Sequence, residues 1–284
     1  LCKDKPPDEL AVSKHSRGCG ERLARGETAL RGIVLLMDDS GLSRIIYHAL
    51  AGEFSIEAVV REAKASRRIF LKRRLKKLGW RTVLGQIIFA KCVVPLLRQE
   101  TSRRRADILR QYGLDEAPIP AERVIDVPSV NDVEVMALLQ KLSPQVIVVN
   151  GTRILEEKLL NATGGVFLNT HVGITPLYRG VHGGYWALAA DDPEHFGITV
   201  HKIDKGIDTG DIVAQALLQP SDADNFSTYP LLQIAVAIPL LKQAIRDVLS
   251  GKLIALPAPA GMSRLWSHPT AFQYLKRRIT HNVR

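Results

Sequence analysis

Cysteine is scarce in this sequence, and its three copies, Cys2, Cys19 and Cys92, share no spacing suited to a disulfide framework or a zinc site. A reducing, cytoplasmic setting is therefore expected. Long apolar runs are missing as well. Val83 to Leu97 is broken by Gly85, Lys91 and Pro95, and such a run falls short of the roughly 20 apolar residues that cross a bilayer. The N-terminus holds no apolar core of signal-peptide length. A dinucleotide fingerprint is absent, because Gly41 stands alone where G-x-G-x-x-G needs three glycines, so NAD is not expected. A metal hydrolase built on His171, His201 and Asp208 would lack any local motif such as H-E-x-x-H, and no metal is expected.

What is present is enough apolar content, 46% of 284 residues, for one large core or two modest ones. The net charge of +10 is concentrated in one segment: residues 61–112 carry 16 Lys/Arg against 3 Asp/Glu, leaving the remainder slightly acidic. A local patch facing phosphates, an anionic surface or solvent follows from that map, rather than a uniformly basic body. Within it, Ile69, Leu71, Leu75 and Leu78 interleave with Lys72, Arg73, Arg74, Lys76 and Lys77 as in a cationic amphipathic helix. Residues 67–77 are thus a candidate contact for an anionic membrane surface.

The order of elements predicts an α/β fold. Residues 1–31 show no sustained period and read as an N-terminal arm. Gly32 to Met37 suits a buried parallel strand, Asp38 to Gly41 a turn, and Leu42 to Leu50 a helix. Ser40-Gly41 is either a plain connection or a helix N-terminus lining a substrate pocket. Strands are expected at 54–60, 123–127, 145–150, 166–168, 197–203 and 212–218, with helices at 131–142, 156–162 and 229–249. Strand, helix and strand in succession imply parallel pairing with right-handed crossovers. The expected division is a catalytic domain over 32–250, a basic helical insertion over 61–112 and a C-terminal tail over 251–284.

The chemistry concentrates between Val166 and Gln215. Asn169 and His171 are two residues apart, so on a strand their side chains leave the same face. An amide and an imidazole side by side can bind one carbonyl oxygen and move one proton. Asp208 sits in Gly206-Ile207-Asp208-Thr209-Gly210, a loop whose glycines permit tight turns. A carboxylate near His171 would fix its tautomer and raise its basicity. Polar turn-forming and loop-capping roles, for Asp204 also, remain open on these residues alone.

Taken together, Leu168-Asn169-Thr170-His171, Tyr178-Arg179-Gly180, Thr199-Val200-His201 and Ile207-Asp208-Thr209-Gly210 resemble the signature of folate-dependent formyltransferases, with Arg153-Ile154-Leu155 matching the segment lining their folate pocket. The resemblance is strong over residues 145–220 and weak over the opening strand and helix. It implies a Rossmann-like, mostly parallel sheet flanked by helices, and transfer of a formyl group from 10-formyltetrahydrofolate to an amine. It also implies Asn169, His171 and Asp208 as the catalytic set, His201 as its support, and Arg153, Ile154, Leu155, Asp204, Gly206 and Ile207 around the folate. Ser40, Gly41, Tyr178, Arg179, Gly180 and His182 are the candidates for the acceptor side. Asp211 stands where the family has Pro, and Gly173-Ile174-Thr175-Pro176 where it has Ser-Leu-Leu-Pro.

Members that formylate initiator transfer RNA carry an additional C-terminal barrel, whereas only about 64 residues follow Pro220. They also read Arg-Gly-Ala-Ala-Pro where Arg179-Gly180-Val181-His182-Gly183 stands. Transfer RNA is on this reading unlikely. A small phosphate-bearing amine, an amino-sugar nucleotide above all, is the expected acceptor, and assembly into a homo-oligomer is compatible with it. A formyltetrahydrofolate hydrolase and a membrane-surface binding module are the alternatives.

Overall fold

A computed structural model describes residues 32–64 and 66–284. The expected arm, with Cys2 and Cys19, lies outside the described residues. In chain order the elements open with β1 (Ile33–Met37), α1 (Gly41–Ala51), β2 (Ile56–Glu62), α2 (Arg67–Leu78), α3 (Trp80–Ile88), α4 (Val94–Glu100) and α5 (Ser102–Gln111). There follow β3 (Val124–Val127), α6 (Val133–Leu142), β4 (Val146–Asn150), α7 (Glu157–Leu160), β5 (Val166–His171), β6 (Tyr178–Gly180) and α8 (Gly183–Ala189). The chain closes with β7 (Gly197–Lys202), β8 (Ile212–Leu217), α9 (Tyr229–Leu249), β9 (Arg264–Trp266) and α10 (Ala271–His281).

Seven strands form one sheet in the order β3-β2-β1-β4-β5-β7-β8. The first five are parallel, and β7 and β8 turn antiparallel at the edge. The chain moves from β1 to β2 on one side and comes back through β4 on the other. The switch point, outside whose strand carboxyl ends such sheets hold ligands, therefore lies between β1 and β4.

The unbroken apolar character of β1 has a direct cause: both of its faces are covered. Leu35 and Met37 join Leu50 of α1 and Leu241 of α9 on one side. Val34 and Leu36 join Leu139 of α6 and Leu159 of α7 on the other. A third, aromatic cluster lies beyond the antiparallel edge, where Phe89, Tyr185, Phe226 and Tyr274 pack together. The Phe89 and Phe226 rings meet edge to face, 4.9 Å apart.

One expectation fails in this region. The run around Val83 to Leu97 is not interrupted: α3, a π-helical turn at Phe89–Val93 and α4 join into one helical run, Trp80–Glu100, of 21 residues. By length and composition it is the one such run among the described residues that could cross a membrane. Pro95 lies just after the π turn, where the ladder of backbone bonds is already shifted. Gly85 is a packing glycine, since a Cβ there would lie 2.9 Å from the Thr270 Cβ. The π turn has a packing consequence. Eight residues of straight α-helix overshoot two full turns by about 80°, and the wider π turn removes much of that excess. Phe89 and Leu97, both buried, thereby face the same aromatic cluster.

The segment read as a tail also carries structure. β9 pairs in parallel with β6, in the register Tyr178↔Arg264 and Gly180↔Trp266. α10 starts with a capping box, in which Thr270 and Gln273 exchange side-chain and backbone hydrogen bonds.

Candidate active site

Register decides which polar groups meet. β5 runs three residues beyond the expected 166–168, so Asn169 and His171 both lie on the strand. β7 pairs with it antiparallel and sets His201 directly opposite Asn169. The His201 Nδ1–H donates to the Lys202 carbonyl at 2.7 Å, which leaves Nε2 to accept from the Asn169 amide at 3.2 Å.

Asp208 completes the group. Its backbone is left-handed, with φ of 52°, and the turn directs its carboxylate between the two imidazoles. Oδ2 lies 3.5 Å from His171 Nδ1, and Oδ1 lies 3.7 Å from His201 Nε2. The Gly180 amide donates to Oδ2 at 2.8 Å. Burial pushes the Asp208 carboxyl upward, but the His201 and His171 imidazoles and the Gly180 amide outweigh it and hold the group below its usual range.

His171 sits deeper. Its Nε2–H donates to the Tyr178 carbonyl at 2.6 Å, so in the neutral ring the lone pair is on Nδ1, toward Asp208. Full burial lowers its pKa, and the opposing effects of Asp208 and the Tyr178 carbonyl do not reverse this. A neutral nitrogen and a carboxylate facing each other leave room for a shared proton from a third group.

These groups open onto a cleft of about 680 Å³ at the carboxyl end of β4 and β5. Asn169, His201 and Asp208 line it, whereas His171 stands behind Asp208 and does not. All six residues expected around the folate line the cleft: Arg153, Ile154, Leu155, Asp204, Gly206 and Ile207. Ile154 is 63% exposed, an apolar side chain held out into the opening. Asp204 accepts from the Gly206 amide and the Thr209 hydroxyl, which makes it the cap of its own loop. A Cβ on Gly210 would collide with the Lys202 carbonyl.

The acceptor-side residues divide differently. Gly180 lines the cleft, but Ser40, Gly41, Tyr178, Arg179 and His182 do not. Ser40 caps α1, accepting from the Ser43 amide at 3.3 Å. Its neighbour Gly41 is closed off by Glu116, which pairs with Arg105. Tyr178 donates its hydroxyl to Asp192, and burial together with that carboxylate raises its pKa. Arg179 donates to the Ile207 carbonyl at 3.1 Å and so fastens the Asp208 loop to β6. His182 lies against His268, with ring nitrogens 3.0 Å apart, and burial pushes it down to about 3.

Several site residues carried no readable signal in the sequence. Glu62, at the end of β2, accepts from the Val130 amide at 2.9 Å and the Arg153 amide at 2.8 Å, and also pairs with the Arg153 guanidinium. Asn131 holds the stretch that follows, donating to the Ile154 carbonyl and accepting from the Glu156 amide. Arg74 and Lys77 of α2 reach the cleft, as do Leu265 and Trp266 of β9 and Ser267 and His268 after it. Only the end of a strand, or a charge facing a turn, could have hinted at the first two.

The comparisons bear directly on this arrangement. Residues 97–229 match the family model described as formyl transferase. Over that segment the chain resembles the formyltransferase family. Among its curated relatives are proteins named methionyl-tRNA formyltransferase, from Pelotomaculum thermopropionicum at 32% identity over 157 residues and from Anaeromyxobacter dehalogenans at 29% over 168. These alignments cover 52% and 57% of this chain and 50% and 54% of the relatives. The chain spans about half the length of the curated relatives it matches. Solved structures with the same fold include a sugar N-formyltransferase from a Shewanella species, with TM-score 0.51, 15% identity and 82% and 76% of the two chains covered. A phosphoribosylglycinamide formyltransferase from Anaplasma phagocytophilum has TM-score 0.52 and 16% identity, over 82% and 96%. The Rossmann-like formyltransferase fold expected from the sequence is the fold found.

The expectation against transfer RNA is overturned. Its two grounds were the length of chain after Pro220 and the Val181-His182-Gly183 departure, and relatives named for a transfer RNA substrate align across about half of this chain. Where a chain ends carries no information about the acceptor of its catalytic domain.

Proposed function

We propose that this chain transfers a formyl group from 10-formyltetrahydrofolate to a primary amine. The observation that carries the reading is the convergence of Asn169, His201 and Asp208 on the floor of one cleft, with His171 behind them. The cleft suits the donor by volume and lining: its size falls within the range of small-molecule sites, and Ile154, Leu155, Ile203 and Ile207 offer apolar walls beside exposed loop backbone.

The donor supplies a formyl carbon that becomes tetrahedral, and negatively charged on oxygen, as the amine adds. Asn169 is placed to donate an amide N–H to that oxygen, a contact whose removal typically costs about 100 to 1000-fold in rate. As the carbon–nitrogen bond to the acceptor forms, the amine must lose a proton. Asp208 is ionised and directed into the cleft, and it takes that proton with His171 Nδ1 beside it. The proton is then returned to the departing folate nitrogen as its bond to the formyl carbon breaks. His171 is a positioning residue on this account, held by the Tyr178 carbonyl and placed behind Asp208 to accept from it once it is protonated.

Two acceptor classes have support. Arg74 and Lys77 in the cleft lining suit a phosphate-bearing amine such as an amino-sugar nucleotide, and the names of the curated relatives favour an aminoacylated transfer RNA. Release of tetrahydrofolate is followed with the protein, 10-formyltetrahydrofolate and a panel containing both classes. Release that depends on one of the amines is expected. Release at the same rate without any amine would indicate the hydrolase instead, and none with any amine would count against transfer.

A further inference from the structure

The helical run Trp80–Glu100 has one face in the aromatic cluster and a second face that the other described residues leave uncovered. Trp80, Leu84, Ile88, Cys92 and Leu96 recur every four residues, and all five are exposed. Trp80 and Leu96 are 64% and 66% exposed, values usual for lysines rather than large apolar side chains. Leu71 and Leu75 of α2, which packs on α3, add to the exposed apolar surface. α10 packs on α3 as well and presents Phe272, Leu275 and Ile279, all exposed.

The charges around this surface have one sign. From Ala63 through Gln99 the sequence has 11 Lys/Arg and no Asp or Glu. Arg68, Lys72, Lys76, Arg81, Lys91 and Arg98 are all exposed on the helices described. The Arg81 guanidinium lies over the Trp80 ring, 5.4 Å from its centroid, an aromatic and a cation side by side at the rim.

We infer that this face docks on the surface of a lipid bilayer carrying anionic headgroups. A row of large apolar side chains edged by lysine and arginine is the pattern of a helix lying in the membrane interface. Each cation near such a surface strengthens binding about five-fold. A nucleic acid would use the cations but leave Leu84, Ile88 and Leu96 in water. A second copy of this chain would bring two cation-dense faces together. Spanning is a poorer fit than lying on the surface, because Phe89 and Leu97 of the same run are buried in the aromatic cluster. The inference is independent of the proposed reaction.

Sedimentation of the full chain with vesicles tests it. Vesicles of phosphatidylcholine with about a third phosphatidylglycerol should retain the protein at least ten-fold more strongly than phosphatidylcholine alone, with loss in high salt. A Leu84→Asp/Leu96→Asp variant, checked by circular dichroism, should lose at least ten-fold, as should Arg68→Gln/Lys72→Gln/Lys76→Gln. Vesicles should shift tryptophan emission to the blue in the native chain but not in Trp80→Phe, a readout that stands even where the aspartate variant fails to fold. No retention on anionic vesicles, equal retention on neutral ones, or retention unchanged by these substitutions would overturn the inference. Binding of transfer RNA in place of vesicles would do so too, as would carbonate-resistant insertion.

Discussion

Replacing Asp208 with Asn separates chemistry from structure more sharply than any other change in the cleft. The carboxylate accepts one amide, from Gly180 at 2.8 Å, and the amide oxygen of Asn can accept the same bond. The new Nδ2–H would point to the His171 Nδ1 lone pair, which faces that oxygen from 3.5 Å. The Gly180 bond drops from the charge-assisted range of about 1.5–3 kcal/mol to about 1, and the new neutral bond returns about 1, so the two changes nearly cancel. At about 2–4 °C per kcal/mol for a domain of this size, Tm should move by less than about 4 °C. The rate has no such compensation: without a base for the amine proton it should fall about 100 to 10,000-fold, or roughly 3 to 5 kcal/mol of barrier. Tetrahydrofolate release under saturating donor and a thermal melt measure the two effects. A rate within ten-fold of the native chain, or a Tm lower by more than about 8 °C, would refute the assigned role.

Other expectations follow from neighbouring residues. Glu62→Gln leaves the Arg153 guanidinium without its charged partner and loosens the loop that carries Ile154 and Leu155; KM for the donor should rise several-fold and stability fall by about 1–3 kcal/mol, read by donor titration and urea unfolding. Gly210→Ala forces a Cβ onto the Lys202 carbonyl, so a loss of about 1–3 kcal/mol with displaced Asp208 and reduced rate is expected; a neutral result would mean the turn yields freely. Stability should also fall with acidity. His171 and His182 both have native pKa values below the ordinary histidine value of 6.5, so unfolding takes up protons below about pH 6.5. Each contributes a slope of up to about 1.4 kcal/mol per pH unit, and Tm at pH 5.5 should lie below that at pH 7.5. A flat or rising profile would contradict their burial in the neutral form.

What the sequence made legible were the features with a short period or a local cause. β1 and β4 read as strands because both faces are buried, and Asn169 and His171 read as a pair because a strand repeats every two residues. The loops at 153–155 and 204–207 were found through resemblance, and the cleft includes both. The distant closures were hidden. β9 is three residues long and has no pattern until β6 lies beside it. Glu62 looks like any charge at a strand end until the chain returns at Val130 and Arg153. Pro95 and Gly85 read as breaks in a helix, yet one follows a π turn within a continuous run and the other sits where Thr270 packs. Ser40-Gly41, open between a plain connection and a pocket-lining helix start, is a capped helix start beside Glu116.

The most direct test of the central claim follows the formyl carbon itself. With 10-formyltetrahydrofolate labelled at that carbon and the amine panel described above, mass spectrometry should find the label on an acceptor nitrogen with the native chain. With Asp208→Asn the labelled product should be lower by at least 100-fold. Label recovered as formate alone, or equal labelled product from both proteins, would contradict the account.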